Sequence, residues 1–382
     1  MSSLSGRIFL DSEQALVPGV VHWDGKGQIE RIERDPQAQT GPVILPGFID
    51  EHIHGIGGLD TMDREPGRFD AMSRALARHG VTGFLATTLT APLEDLRRII
   101  EESRSIALGP LSGARLWGLH LEGPFIDPIF KGAQPANAIA APLVTSAQYL
   151  MGDNRDQWVR LITMAPNMPG AGLVIEWMRQ HGVAVNLGHS SATFDEGKKG
   201  VLAGADGLTH FFNAMSPLNH REPGLVGLGL TEPRLWCELI ADGIHIRPEM
   251  LAYVFHTMAE RVLLITDAMA AADMPDGDYQ LGGSPVTVSH GAARLNDGTL
   301  AGSVLTLDQA LRNLLRWGIP LPAIVSALSG NSARRLGLLD RGAIASGMRA
   351  DLVVLDNAYN VEATYCEGRP IFDARPILHN GQ

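Results

Sequence analysis

Eight short apolar runs recur along the chain, and most of them stop at a histidine or a carboxylate. The runs are 43–53 "VILPGFIDEHI", 81–90 "VTGFLATTLT", 115–123 "RLWGLHLEG", 158–166 "WVRLITMAP", 183–189 "VAVNLGH", 206–212 "DGLTHFF", 236–243 "WCELIADG" and 261–267 "RVLLITD". Amphipathic stretches separate most of them, among them 67–79 "GRFDAMSRALARH", 92–106 "PLEDLRRIIEESRSI" and 194–203 "FDEGKKGVLA". A further helical pattern, 304–316 "VLTLDQALRNLLR", follows the eighth run. Strands too apolar to leave one face wet, alternating with helices, predict a parallel sheet covered on its faces. Eight such units fit an α/β fold of the (β/α)8 TIM-barrel type. A doubly wound open sheet would carry a Gly-rich phosphate fingerprint after its first strand, and "HGIGG" lacks the GxGxxG spacing.

The C-terminal strand ends of such a barrel meet at one mouth, where reacting residues sit. There the sequence places His52 and His54, Glu122, His189, His210, His245 and Asp267. One strand-end histidine is ordinary core chemistry, whereas so many convergent positions are hard to explain by chance. His52 and His54 stand at i and i+2, and residues so spaced on a strand share a face, so this pair could grip one ion.

The two chain ends read differently. Residues 1–47 have hairpin chemistry, and residues 345–382 contain "ADLVVLD" and "VEATYCEGRP". Neither end is large enough to stabilise a sheet alone, so the two are expected to combine into one small β-sandwich domain beside a barrel of residues 48–344.

The composition is that of a globular protein, with 45% hydrophobic and 19% charged residues. A net charge of −11 argues against nucleic acid or an anionic membrane as partner. Cys237 and Cys366 form neither a CxxC motif nor a disulfide framework. With no signal-peptide pattern and no apolar stretch of roughly 18 residues, the expected location is cytoplasmic.

Imidazole and carboxylate donors without thiols suit zinc, iron or another first-row divalent ion, with zinc the first expectation. Glu122, His189 and His210 make a three-ligand set with an open position, as catalytic rather than structural zinc sites have. Asp267 could accept a proton from a water activated by the ion and return it to a leaving group, although a helix N-cap aspartate has the same sequence appearance. Glu122 could equally be a carboxylate paired with a lysine or arginine.

The stretches "PGFIDEHIHG", "GLHLEGPF", "KGAQP", "LGHSSAT", "THFFNAM", "REPGLVG", "ADGIHI" and "ITDAM", with the tail "SGNSARRLGLLDRGAIASGMRADLVVLD", resemble the amidohydrolase superfamily. In their order they are most similar to N-acetylglucosamine-6-phosphate deacetylases, over essentially the whole chain. The resemblance implies hydrolysis of the N-acetyl group of an amino-sugar 6-phosphate. It also implies metal ligation by Glu122, His189 and His210, acid–base chemistry by Asp267, and substrate contacts from His245, Asn213 and Ala214. Arg221 corresponds to a phosphate-binding arginine that reaches the neighbouring subunit's site, which implies a homodimer. Members that keep the HxH pair bind two ions, so one or two per subunit are expected, the second at His52 and His54. One position departs: Gln134 stands where the family has a carbonyl-polarising histidine, and an amide keeps an N–H donor but cannot become a cation.

Rival readings are a deacetylase of another amino sugar, such as N-acetylgalactosamine 6-phosphate, a cyclic-amide or N-acyl amino-acid hydrolase, and a weakly active or non-catalytic relative. Cyclic-amide hydrolases often carry a carboxylated lysine on the fourth strand, and "WVRLITMAPN" has no lysine. A non-catalytic relative predicts eroded ligands, yet Glu122, His189, His210 and Asp267 are all present.

Overall fold

The computed structural model describes residues 2–375 except 107, 108, 110, 153 and 155. The eight runs become an eight-stranded sheet paired in chain order: Phe48–Ile53, Val81–Thr88, Arg115–Glu122, Val159–Met164, Ala184–Leu187, Gly207–Leu208, Trp236–Ile240 and Val262–Ile265. Every pairing is parallel. Residues 48–53 and 81–88 are buried throughout, as strands between a filled interior and a helical coat must be. The coat is built from helices such as Arg68–Ala77, Leu93–Ile106, Phe194–Leu202 and Leu307–Arg316. Thr193 and Glu196 form a reciprocal capping box at the start of Phe194–Leu202. Leu307, Leu311 and Leu314 bury one stripe of the last of these helices.

First and eighth strands meet beyond their regular ladder. Ile53 bridges Ala268 in parallel, the His54 N–H donates to the Ala268 carbonyl at 2.9 Å, and the Asp267 N–H donates to the His52 carbonyl at 2.9 Å. The barrel is therefore closed mainly at its mouth.

Several strands end earlier than their apolar runs. The sixth keeps only Gly207–Leu208, and the fifth and eighth stop at Leu187 and Ile265. The cause is backbone geometry: φ is 47° at His189, 28° at His210 and 49° at Asp267. These residues follow their strands in left-handed turns that aim them into the mouth. Such conformations cost non-glycine residues on the order of 1–3 kcal/mol each and persist only where the surroundings over-determine them.

The chain ends form one seven-stranded mixed sheet, ordered Arg369–Asp373, Val361–Cys366, Leu352–Leu355, Val43–Pro46, Ser2–Leu10, Ala15–Trp23, Ile29–Arg34. Alternation decides what each face covers. Phe9, Val43, Leu45, Val353 and Leu355 join the barrel core, while Ile8, Ile44, Leu352 and Val354 build a second core with Val21 and Ala363. Trp23 and Tyr365 lie on strands separated by three others, yet their rings meet edge to face at 5.8 Å. The sheet therefore folds over on itself and acquires a sandwich-like interior. The final segment 376–382, expected in this domain, lies outside the described residues.

A three-stranded antiparallel sheet, Gly277–Leu281, Ser284–Ser289 and Ala292–Leu295, was not among the runs read from the sequence. Its turns place positive φ on adjacent residues, 56° and 79° at Gly282 and Gly283, then 52° and 76° at His290 and Gly291. Leu281, Val286 and Val288 pack it onto Leu89 and Met269.

Candidate active site

Glu122 ends the third strand with 2% of its surface exposed. Its Oε1 lies 3.1 Å from Nε2 of His189 and 3.1 Å from Nε2 of His210, and the two ring nitrogens are 3.1 Å apart. Main-chain carbonyls hold the opposite ring nitrogens: Phe130 O is 3.0 Å from His189 Nδ1, and Asn213 O is 3.2 Å from His210 Nδ1. A carbonyl only accepts, so each Nδ1 carries a hydrogen and each Nε2 can turn a lone pair toward Glu122. Gly132 lies against this centre in the left-handed region, at φ +56°, which a residue without a Cβ adopts without strain.

A second convergence lies beside it. Nε2 of His54 is 3.2 Å from Glu122 Oε2 and 3.2 Å from Asp267 Oδ1. Nε2 of His52 is 3.5 Å from Glu122 Oε1 and 3.5 Å from Asp267 Oδ1. His52 is fully buried, and its Nε2 has no hydrogen-bond partner. Ring lone pairs and carboxylate oxygens crowded together repel unless positive charge lies among them. Burial penalises the Glu122 carboxylate, yet His189, His210 and His52 hold it well below the usual carboxylate range. Asp267 is also lowered against burial, by His52 and His54. Two all-buried donor groups, Glu122–His189–His210 and His52–His54–Asp267, thus fit a divalent cation by donor type and by the orphaned nitrogen.

These groups open into a cavity of about 530 Å³. Asn213, Ala214, His245 and Gln134 line it together with His54, while His52 lies sealed beneath. Gln134 is fixed at both ends: its Oε1 accepts the Thr90 N–H at 2.7 Å, so its Nε2 faces and donates to Glu122 Oε2. Asp242 Oδ2 holds His245 Nδ1 at 2.6 Å. Arg221 does not line this cavity; it lies on an exposed loop with Nη1 2.7 Å from His220 Nε2. Lys131 is the one lysine or arginine among the lining residues.

Sequence reasoning missed the layer under the site. Glu238 accepts from His52 Nδ1 at 2.9 Å and from Asn186 Nδ2 at 2.6 Å. Arg335 enters from below, 3.1 Å from Glu51 Oε1 and 3.7 Å from Glu238 Oε1. A bulge between Asp50 and Ile53 allows the consecutive Glu51 and His52 to reach this one network. A lone acid inside the apolar run "WCELI" was the available signal, because an unpaired buried carboxylate is too costly to be incidental.

Buried imidazoles and carboxylates gathered at the mouth of a closed parallel barrel define a barrel hydrolase of the metal-binding class. The chain belongs to the amidohydrolase family, which matches residues 43–371, and within it to the N-acetylglucosamine-6-phosphate deacetylases. It is 39% identical over 350 residues to the N-acetylgalactosamine-6-phosphate deacetylase of Escherichia coli O157:H7, covering 90% of this chain and 92% of the relative. It is 36% identical over 374 residues to the N-acetylglucosamine-6-phosphate deacetylase of Vibrio furnissii, covering 96% and 94%. A mutant N-acetyl-D-glucosamine-6-phosphate deacetylase from Mycobacterium smegmatis, solved in complex with N-acetyl-D-glucosamine-6-phosphate, superposes with a TM-score of 0.87 at 34% identity, covering 97% and 98%.

Proposed function

We propose that the chain is a metal-dependent deacetylase that hydrolyses N-acetyl-D-glucosamine 6-phosphate to glucosamine 6-phosphate and acetate. The observation that carries this reading is the shared Glu122 oxygen, 3.1 Å from both His189 and His210, with Asp267 at the same cavity. A divalent ion held by Glu122, His189 and His210 would supply Lewis-acid polarisation and a more acidic water. Asp267, ionised among histidines, takes the proton from the attacking water and delivers it to the leaving nitrogen. Gln134 uses one amide hydrogen on Glu122 and has a second for the acetyl carbonyl oxygen, where charge develops. His245, steadied by Asp242, together with Asn213 and Ala214, orients the sugar.

The phosphate needs a cation in a cavity rich in carboxylates. Arg221 serves it from the neighbouring subunit of a homodimer, and its guanidinium fork suits a phosphate. The exposed run 217–222, which carries Leu218 at 57% exposure, supports contact with a second copy. A cytoplasmic location accords with the free buried cysteines; among the described residues no helix is long and apolar enough to cross a membrane.

A second reading, action on the galacto epimer, is favoured by the 39% identity to the Escherichia coli N-acetylgalactosamine-6-phosphate deacetylase. Acetate release should be measured on both epimers, each with and without the 6-phosphate, after metal reconstitution. The proposal expects the glucosamine 6-phosphate derivative to have the highest kcat/KM. Equal rates without phosphate would remove Arg221 from substrate binding, and no release after reconstitution would overturn the enzyme reading.

A further inference from the structure

We propose that Leu89 sets the length of the acyl group this chain removes, its side chain being the wall between the reacting cavity and a second cavity able to take longer N-acyl chains. This rests on the deacetylase reading above and extends it to the acyl end of the substrate. Leu89 follows the second strand with 2% of its surface exposed. It lines both the cavity that holds Glu122 and Asp267 and a neighbouring one of about 470 Å³. Gln134 lines the first and Pro135 the second, and Leu281 and Gly282 divide in the same way. A Cβ on Gly282 would come 3.0 Å from Leu89 Cδ1 and 3.2 Å from Pro135 Cγ, so three segments of chain close tightly at one partition. Leu89, Leu281 and Met269 belong to one buried apolar cluster there.

Direction decides which part of the substrate meets this partition. The N–H of Thr90, the residue after Leu89, holds Gln134 Oε1 at 2.7 Å, so the amide assigned to the acyl carbonyl lies at the Leu89 end of the cavity. Asn213, Ala214 and His245, which orient the sugar, follow the sixth and seventh strands, across the mouth from the second. The acyl carbon turns its nitrogen toward the sugar, so its remaining substituent points the other way, toward Leu89 and Leu281. A methyl group fits against such a wall, whereas a longer chain runs into the Leu89 side chain. Behind it, Met62, Ala91, Pro92 and Ala138 give the second cavity apolar surface, and its Arg64 and Arg98 both face Asp95. The reaction is the same for any chain length: the water oxygen joins the acyl carbon, the C–N bond breaks, and the nitrogen keeps the electron pair and takes the proton.

The test compares kcat/KM on N-acetyl-, N-propanoyl- and N-butanoylglucosamine 6-phosphate for metal-reconstituted wild type, Leu89→Val and Leu89→Ala. One methylene in an apolar pocket is worth about 10- to 200-fold, so wild type should lose that factor from acetyl to propanoyl and more at butanoyl. Leu89→Ala should raise the butanoyl-to-acetyl ratio about 10- to 200-fold, and Leu89→Val should raise the propanoyl-to-acetyl ratio by less. A ratio between substrates does not move when part of the protein is merely unfolded. Leu89→Val decides the question if the alanine variant, which empties a buried site, fails to fold. Unchanged ratios in the folded variants, or a wild type that releases butanoate as fast as acetate, would overturn the role of Leu89. Either result leaves the deacetylase reading standing, since acetate is still released; no release from any of the three by reconstituted wild type would overturn both.

Discussion

The main-chain N–H of Asp267 donates to the carbonyl of His52 at 2.9 Å, tying the end of the eighth strand to the end of the first. Both residues also aim side chains at the same cluster, 3.5 Å apart at Oδ1 and Nε2. Closing the barrel and assembling the site are therefore one event. The left-handed backbone at Asp267 is held by that seam, which its side chain does not make.

Asp267→Asn separates the two roles, since the amide keeps the seam and loses the proton acceptor. Its kcat should fall about 100- to 10,000-fold while an ion held by Glu122, His189 and His210 stays bound and the urea midpoint stays near wild type. Retention of more than a third of kcat would place the base elsewhere.

Gln134 is expected to act on the rate more than on binding. Gln134→Ala should lower kcat by about 100- to 1000-fold with KM changed far less, the size expected for one donor to a developing oxyanion. Gln134→His should raise kcat above wild type on N-acetylglucosamine 6-phosphate. An unchanged or lower kcat in the histidine variant would remove carbonyl polarisation as the role of this position.

Arg335 neutralises Glu51 and Glu238 with 1% of its side chain exposed. Burial raises Glu51 to about 7 even with this arginine beside it. Arg335→Met should cost about 3–5 kcal/mol in urea unfolding, because two buried carboxylates lose their counter-charge. Adding Glu51→Gln should recover part of the loss, a non-additivity that a double-mutant cycle measures. Strict additivity would mean that the two side chains do not act together.

His79 and Asp308 supply a pH dependence away from the site, 3.0 Å apart. Burial opposes the charge on His79, but Asp308 and Asp273 raise it above its ordinary value; Asp308 is pushed down to about 2 against burial, chiefly by His79. The raised histidine contributes stability that is complete below its unfolded value of about 6.5 and is lost as pH rises through the folded value. The lowered aspartate contributes above about 4 and loses its share as pH falls toward 2. His79→Gln should therefore flatten the fall in unfolding free energy as pH rises above about 6.5. Parallel profiles for wild type and variant would show that the pair contributes nothing.

The barrel was legible because its strands are continuous apolar runs, which no half-exposed sheet would tolerate. Glu122, His189, His210 and Asp267 were legible because they interrupt that pattern at its ends. The left-handed turns at His189, His210 and Asp267 were not, since only glycine and asparagine advertise positive φ in a sequence. Glu238 and Arg335 escaped because their meaning depends on contacts across the barrel, nearly a hundred residues apart in sequence. The three-stranded sheet at 277–295 escaped because its alternation is short and its turn at His290–Gly291 carries a residue not typical of such turns. Arg221 lies on an exposed loop away from the cavity, beside His220, so its role in binding phosphate stays a proposal for the substrate assay.

The folded-over sheet has a consequence for how the molecule is made. Val43–Pro46 sits between Ser2–Leu10, made just before it, and Leu352–Leu355, made some three hundred residues later. At roughly 5–20 residues per second, a ribosome leaves that strand without its second neighbour for tens of seconds. Its open edge, "VILP", is then one of the most adhesive parts of the nascent chain. Crowding, slow codons between the two segments, or loss of the strand at 352 should therefore lower the yield of folded enzyme before any catalytic residue is affected.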